Sequence, residues 1–138
     1  MTATMIHDHQ TAIRSILDNA GVTYLSGQVP DKPTFPYRVV AFGVGFDVGS
    51  KLEGSSDEHS FWFYVTSVAE SDEGVAITAD ASRFALADAR PVVPGYSSTR
   101  IKRTTSTPIQ ADDTVTSTVT NRHPMFAVDT YYFVSFAD

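Results

Sequence analysis

Apolar residues recur along the first twenty positions at intervals of three and four, which is the spacing of one face of an α-helix. The residues of this stripe are Ile6, His9, Ala12, Ile13, Ile16, Leu17 and Ala20. Thr2 or Thr4 can cap the start of the helix, and Gly21 stands where a left-handed residue commonly ends one. The pattern therefore predicts an amphipathic helix at the N-terminal end of the chain.

Short runs of β-branched and aromatic residues between turn-forming residues predict the strands. The runs are 22–25, 37–42, 59–68, 95–105 and 126–136, with a possible short strand at 46–48. Pro36 favours extended geometry at Phe35 and so leads the chain into the second run. Two polar segments without apolar periodicity predict mobile loops at about 43–58 and 104–120. The second segment is also compatible with a weak hairpin at the sheet edge.

A second helix is predicted to begin near Ser71 and to end before Pro91. Asp72 and Glu73 lie where carboxylates interact favourably with the positive end of the helix dipole. Two neighbouring apolar ridges follow, and their small residues would let the helix lie close to a sheet. The ridges are Val75, Ala79, Ser82 and Leu86, and beside them Ile77, Ala81 and Phe84.

The order of these elements predicts an α+β fold: a mostly antiparallel sheet of four to five strands, with two helices packed on one face. The 138 residues fit one domain, 1–138, with a core of its own. The run 61–65, Phe-Trp-Phe-Tyr-Val, is apolar on both faces of its strand and so has to be buried on both. Because both helices are needed on one face, we expect a second copy or a partner to cover the other.

Alternation along the strands predicts which residues face which side. The residues expected to face the helices are Phe61, Phe63 and Val65. The residues expected on the opposite, outward face are Trp62, Tyr64, Tyr131 and Phe133.

Composition narrows the classes of function. The hydrophobic content of 42% and the charged content of 19% are typical of a globular protein. No apolar run reaches the roughly 20 residues that span a bilayer, and the N-terminus lacks the features of a signal peptide. The net charge of −6 disfavours general nucleic-acid binding, because phosphates repel it. The chain has no cysteine, which excludes disulfides and thiol chemistry. We expect a soluble intracellular or viral domain.

No catalytic or metal-binding motif is present. The four histidines, His7, His9, His59 and His123, do not have the spacing of a metal site. The glycine-rich segment 43–49 follows a strand, but no helix follows it to bind phosphate. We therefore expect no enzyme activity, no cofactor and no metal.

A basic cluster is formed by Arg100, Lys102 and Arg103. Alternation places Arg100 and Lys102 on one strand face, beside Arg38. The simpler interpretation is a solvated edge, since charges on edge strands hinder aggregation. The other interpretation is a patch that meets an acidic surface of a neighbouring subunit, or DNA that passes nearby.

The sequence of features has a known counterpart. An amphipathic helix leads to a short Val-x-Tyr strand and to 35–40, Phe-Pro-Tyr-Arg-Val-Val. A glycine-rich loop follows, then an aromatic strand that ends in 64–67, Tyr-Val-Thr-Ser, an alanine-rich helix and a closing aromatic strand. Over nearly the whole chain, this layout resembles the tail-terminator, or tail-completion, proteins of long-tailed phages.

The resemblance implies a structural virion protein of the tail and neck, present in the host cytoplasm during assembly. Such proteins form a hexameric ring on the finished end of the tail tube, stop its polymerisation and present the surface that joins the head. The implied partners are further copies of the chain, the major tail tube protein and a head-completion or connector protein. DNA would only pass through the channel, and no membrane is involved. The residues expected at these interfaces are Trp62, Tyr64, Phe46, Arg38, Arg100, Lys102, Tyr131 and Phe133.

Two other functions stay open at this point. A head-completion (stopper) protein or another neck connector of similar size would have the same sequence features. A small-ligand-binding or hydrolytic α+β domain would instead have a pocket lined by Trp62, Tyr64, Tyr131 and Phe133.

Overall fold

Two helices and eight strands form the part of the chain described by the computed structural model, residues 4–48, 58–116 and 122–138. The helices are α1 (Met5–Asn19) and α2 (Asp72–Leu86). The strands are β1 (Leu25–Ser26), β2 (Tyr37–Phe42), β3 (Phe46–Val48), β4 (Glu58–Ala69), β5 (Tyr96–Ser98), β6 (Lys102–Ser106), β7 (Gln110–Ala111) and β8 (Met125–Ala137).

The sheet is mostly antiparallel, and across its width the strand order is β1-β2-β4-β8-β5. Among the described strands only β1 and β2 pair in parallel. The short strand β3 follows β2 along the edge of β4, while β6 and β7 follow β5 along β8. The α+β fold predicted from the sequence is confirmed. The sheet is five strands wide, and the additional strands continue its edges.

The register of the two long central strands decides which side chains meet the helices. Phe61 lies opposite Phe133, and Phe63 lies opposite Tyr131. All four side chains are buried in one cluster with Ile13 and Leu17 of α1 and Leu86 of α2. The prediction that Phe61, Phe63 and Val65 face the helices is therefore confirmed, and Trp62 and Tyr64 face outward.

The prediction that Tyr131 and Phe133 share the outward face is wrong. Their exposed fractions are 2% and 1%, because both side chains lie under the helices. Trp62 lies opposite Tyr132, so β8 presents Tyr132 and its alternate neighbours outward. Since side chains in a strand alternate, an error of one residue in register exchanges the two faces completely.

Helix α1 has the predicted extent, and its buried residues are His9, Ala12, Ile13 and Leu17. Thr4 occupies the N-cap position, but its hydroxyl donates to the Asp8 carboxylate at 3.1 Å rather than capping the helix backbone. Gly21 has the positive φ of 72° expected of a residue just past a helix end.

Helix α2 begins as predicted, since the Ser71 hydroxyl accepts a hydrogen bond from the backbone N–H of Gly74 at 3.0 Å. Val75, Ser82 and Leu86 of the first predicted ridge are buried against the sheet. The second ridge faces away, with Ile77 63% and Phe84 89% exposed. The helix start lies very close to β4, because a Cβ built on Gly74 would be 2.8 Å from the Cβ of Ala69. This close approach favours the ridge with the smaller side chains.

The predicted strand 95–105 is broken into β5 and β6. Between them Ile101 turns into the core, where it is 2% exposed, and its backbone N–H donates to the Ala89 carbonyl at 2.8 Å. The predicted loop 104–120 contains the end of β6 and all of β7, and the possible strand at 46–48 is confirmed as β3. Of the two predicted loops, the parts 49–57 and 117–120 lie outside the described residues.

Candidate functional site

The outer face of the sheet, meaning the side opposite the helices, carries a band of aromatic and apolar side chains. The rings of Trp62 and Tyr132 stack with their centroids 5.1 Å apart. Tyr64 and Phe136 lie on the same face, and each is about two-fifths exposed, at 43% and 41%. No helix of the described residues packs on this face, so the band is available to a partner.

A basic pocket includes one end of this band, where the edge strand is interrupted between β5 and β6. It has a volume of about 500 Å³, and its floor is formed by Tyr132, Val134 and Phe136 of β8. Its rim holds the cationic side chains Arg90, Arg100 and Lys102 together with Ser97, Ser98 and Thr99. The pocket therefore combines an apolar floor with a positively charged rim.

Asp88 fixes two of these cations. Lys102 Nζ lies 2.8 Å from its Oδ1, and Arg100 Nη1 donates to its backbone carbonyl at 2.8 Å. The hydrogen bond from Lys102 is the main reason why the pKa of Asp88 is lowered. A second carboxylate, that of Asp138, accepts from the hydroxyl of the rim residue Ser97 at 2.7 Å. The three cations Arg90, Arg100 and Lys102 outnumber the two carboxylates, so the rim keeps a net positive charge.

Arg38 does not join this cluster, and the prediction that it lies beside Arg100 and Lys102 is wrong. It lies opposite Ser67 on the helix side of the sheet, and it is 7% exposed. Its guanidinium donates from Nη1 to the Thr23 carbonyl at 2.6 Å and from Nη2 to the Thr78 carbonyl of α2 at 2.5 Å. Burial lowers the pKa of Arg38. Its role here is to tie α2 to the sheet.

Phe46 lies in β3, and its backbone pairs with Ser60 of β4. Its proposed place in an interface stays a prediction.

A second exposed surface, called here the α2 ridge, was not recognised in the sequence as an outward surface. It consists of Ile77, Ala81 and Phe84 with the exposed carboxylates Glu73 and Asp80 beside them. Because Ile77 and Phe84 are large and apolar, the sequence pattern predicts that this ridge packs on the sheet. The available sequence signal was Gly74 followed by the small polar residues Thr78 and Ser82, which permit the close approach that the helix makes.

A Ser–His pair lies inside the core. His9 Nε2 is 2.7 Å from Ser135 Oγ, and His9 Nδ1 is 2.7 Å from the Met5 carbonyl oxygen. Because a carbonyl only accepts, Nδ1 carries the proton and Nε2 accepts from the serine. Burial is the main reason why the pKa of His9 is lowered. Both side chains are fully covered, and the imidazole stacks on Phe61 at 4.2 Å, so no substrate reaches the serine.

The pocket expected for a ligand-binding or hydrolytic domain is not formed. Its four lining residues are divided between the two sides of the sheet: Trp62 and Tyr64 face outward, and Tyr131 and Phe133 face the helices. Within residues 4–48, 58–116 and 122–138, no three His, Asp or Glu side chains are grouped as metal ligands. In the same ranges no helix has both the length and the apolar character required to cross a membrane.

The edge strand β6, which borders the basic pocket, is held by hydrogen bonds to side chains on the helix side of the sheet. Asp129 of β8 accepts from Arg83 of α2 through two hydrogen bonds, Nε to Oδ2 at 2.8 Å and Nη2 to Oδ1 at 2.7 Å. The Ser106 hydroxyl of β6 also donates to Oδ1, at 2.6 Å. The Asp129 carboxylate thus joins the helix, the central strand and the edge strand.

No protein-family model matches this chain, and no curated protein matches it either. A solved structure of the virion of a native gene transfer agent (GTA) particle contains a chain of similar fold. The TM-score is 0.62 with 14% sequence identity, and the match covers 94% of each chain. At this identity the match shows a shared fold over nearly the whole length of both chains.

Proposed function

We propose that this chain is a structural, non-enzymatic protein of a phage-like virion, and that it caps the end of the tail tube. The observation that carries the proposal is the fold similarity to a chain of a gene transfer agent virion, which covers 94% of both chains. The resemblance of the sequence to tail terminators supports the more specific role within such a particle.

A ring of copies, six by the resemblance, is the proposed assembly. Two properties of the monomer support it. The outer face exposes the Trp62–Tyr132 stack and Tyr64, and the α2 ridge exposes Ile77 and Phe84, so apolar surface remains on both sides of the fold. Contiguous exposed apolar patches of this kind mark protein interfaces.

The ring would contact the major tail tube protein on one side and a head-completion or connector protein on the other. It would act in the virion, after assembly in the host cytoplasm. DNA would pass through its channel without being held, which agrees with the net charge of −6, since like charges offer no binding sites to phosphate.

Deleting the gene from the particle-producing host tests this function. A tail terminator limits tube polymerisation, so the deletion should yield overlong tubes without heads in negative-stain electron microscopy. Expression of the intact chain in trans should restore tails of uniform length joined to heads. Normal particles after deletion would refute a role in the virion. Tails of normal length that fail to join heads would instead assign the chain to the stopper position.

A further inference from the structure

We infer that the α2 ridge of one copy docks into the basic pocket of the next copy and that this contact closes the ring. The inference rests on the proposed function and names the two surfaces through which the copies would meet. The partner is a second copy of this chain.

The α2 ridge has the properties of an inserted surface. Phe84 is 89% exposed and Ile77 63% exposed, and they are seven residues apart with Ala81 between them, so they form one stripe on the helix. Isolated exposed apolar residues are common on proteins, but a stripe with a large aromatic residue at its end is typical of a binding surface. Glu73 and Asp80 give this stripe a negative border.

The basic pocket has the matching properties. Its apolar floor of Tyr132, Val134 and Phe136 can receive an aromatic side chain, and the depression, which is open to solvent, has a volume of about 500 Å³. The cations of its rim stand opposite in sign to the border of the α2 ridge. Charge complementarity of this kind sets the orientation of a contact and accelerates its formation.

The position of the two surfaces determines the symmetry. The α2 ridge lies on the outside of the helix layer, whereas the floor of the pocket belongs to the outer face of the sheet. They cannot meet within one chain. If the ridges of two copies met each other, Asp80 of one copy would face Asp80 of the other, and the repulsion between like charges disfavours that contact. When two copies share a single ridge-to-pocket contact, the pair keeps one free ridge and one free pocket, so further copies add through the same heterologous contact. The series ends where the rotation between copies closes a ring.

Two variants each remove one surface. Phe84→Asp places a charge in the stripe, and Arg100→Glu reverses a charge of the rim; both positions are exposed, so the fold should be retained. Sedimentation-velocity ultracentrifugation of the intact chain at rising concentration should show a discrete large assembly. Each variant alone should stay monomeric. An equimolar mixture should form dimers and nothing larger, because one intact ridge and one intact pocket remain to be joined.

Val92→Asp is the matched control, since Val92 is 85% exposed but belongs to neither surface. It should assemble like the intact chain. Circular dichroism and the urea midpoint verify the fold of each variant. Where Phe84→Asp or Arg100→Glu fails to fold, a charge exchange replaces it. Reversing Glu73 and Asp80 to Lys should lower the association constant by at least about tenfold, and adding Arg90→Glu and Lys102→Glu to the same chain should restore it.

The outcomes separate the two proposals. Normal particles after deletion of the gene, with a chain that stays monomeric, would overturn the proposed function and this inference together. An intact chain that forms rings and caps tails, while Phe84→Asp and Arg100→Glu still form the same rings, would overturn only the ridge-to-pocket contact. Variants that assemble normally but no longer bind tail tubes would also overturn it, because the α2 ridge would then serve another partner.

Discussion

Replacing Arg83 by Met should destabilise the fold through the carboxylate that it leaves behind. Asp129 is only 3% exposed, and Arg83 supplies two of the three hydrogen bonds that reach it. Met keeps the apolar length of the arginine stem while removing the charge and both donors. The Asp129 carboxylate would then be buried with the Ser106 hydroxyl as its remaining hydrogen-bond donor.

The size of the effect follows from burial. Removing one partner of a fully buried ion pair costs about 3–5 kcal/mol, because an uncompensated charge remains inside. Here the arginine side chain is 37% exposed, so water reaches one side of the pair, and Ser106 still donates. We therefore expect a loss of about 2–3 kcal/mol in the free energy of unfolding.

Urea unfolding followed by circular dichroism measures this loss, and the chain carries its own control. Lys102 and Asp88 form an ion pair at a similar distance, 2.8 Å, but their side chains are 58% and 66% exposed. At a protein concentration low enough to keep the chain monomeric, Lys102→Met should therefore leave the midpoint almost unchanged. Equal midpoints for Arg83→Met and the intact chain, or equal losses for Arg83→Met and Lys102→Met, would refute the argument from burial.

The same variant should reverse a pH dependence. Burial alone would raise the pKa of Asp129, but the hydrogen bonds from Arg83 and Ser106 hold it below its ordinary value of 3.8. The unfolded chain then binds the proton more readily, so this contribution to stability is present above pH 4 and is lost as the pH falls through the folded pKa. In Arg83→Met, burial dominates, and the contribution of Asp129 should increase on acidification.

Three further predictions concern single residues. The folded pKa of His9 is lowered below its ordinary value of 6.5, so the unfolded chain takes up the proton first and stability should fall as the pH drops below 6.5. His9→Gln should flatten this part of a profile of the urea midpoint against pH. An unchanged slope would contradict the assignment of this pH dependence to His9. Ser71→Ala should cost about 1 kcal/mol by removing the cap of α2, whereas Ser71→Asp should retain most of the stability in thermal unfolding. Gly45→Ala should destabilise the fold more than Gly21→Ala in the same assay. Both glycines have positive φ, but only at Gly45 would the new Cβ come within 2.6 Å of an aromatic ring, that of Phe61. Equal losses of stability would show that backbone strain alone decides the effect.

The fold class could be predicted from the sequence because each helix and each long strand carries its own periodicity. The stripe around Ile13 and Leu17 and the alternation of Phe61 and Phe63 each specify one buried face without reference to the rest of the chain. These local patterns agree with the fold of the whole chain, so the periodicity of each segment predicts which of its faces is buried in that fold.

The candidate site was less predictable, because its residues depend on pairings between distant segments. The last strand is apolar on both faces, so alternation could not decide whether Tyr131 or Tyr132 faces outward; only pairing with β4 does. Arg38 is buried because two backbone carbonyls, from distant parts of the chain, accept its protons. No pattern in the sequence predicts which backbone carbonyls will accept hydrogen bonds from this arginine. The α2 ridge was predicted to pack on the sheet because its side chains are large and apolar. It faces outward, because the close approach of the helix to the sheet favours the face with the smaller side chains.

The two borders of the sheet also have a consequence for solubility. One border is β1, which has only two residues, and the other is interrupted where Ile101 leaves the strand to enter the core. Within residues 4–48, 58–116 and 122–138, neither border offers the long, straight row of free backbone groups on which another chain could add a strand. Under the proposed function, many copies would be made before their binding site on the particle exists, and such edges would protect them from growing into fibrils. The proposed self-recognition would then depend on side chains, which can fix the number of copies at which growth stops.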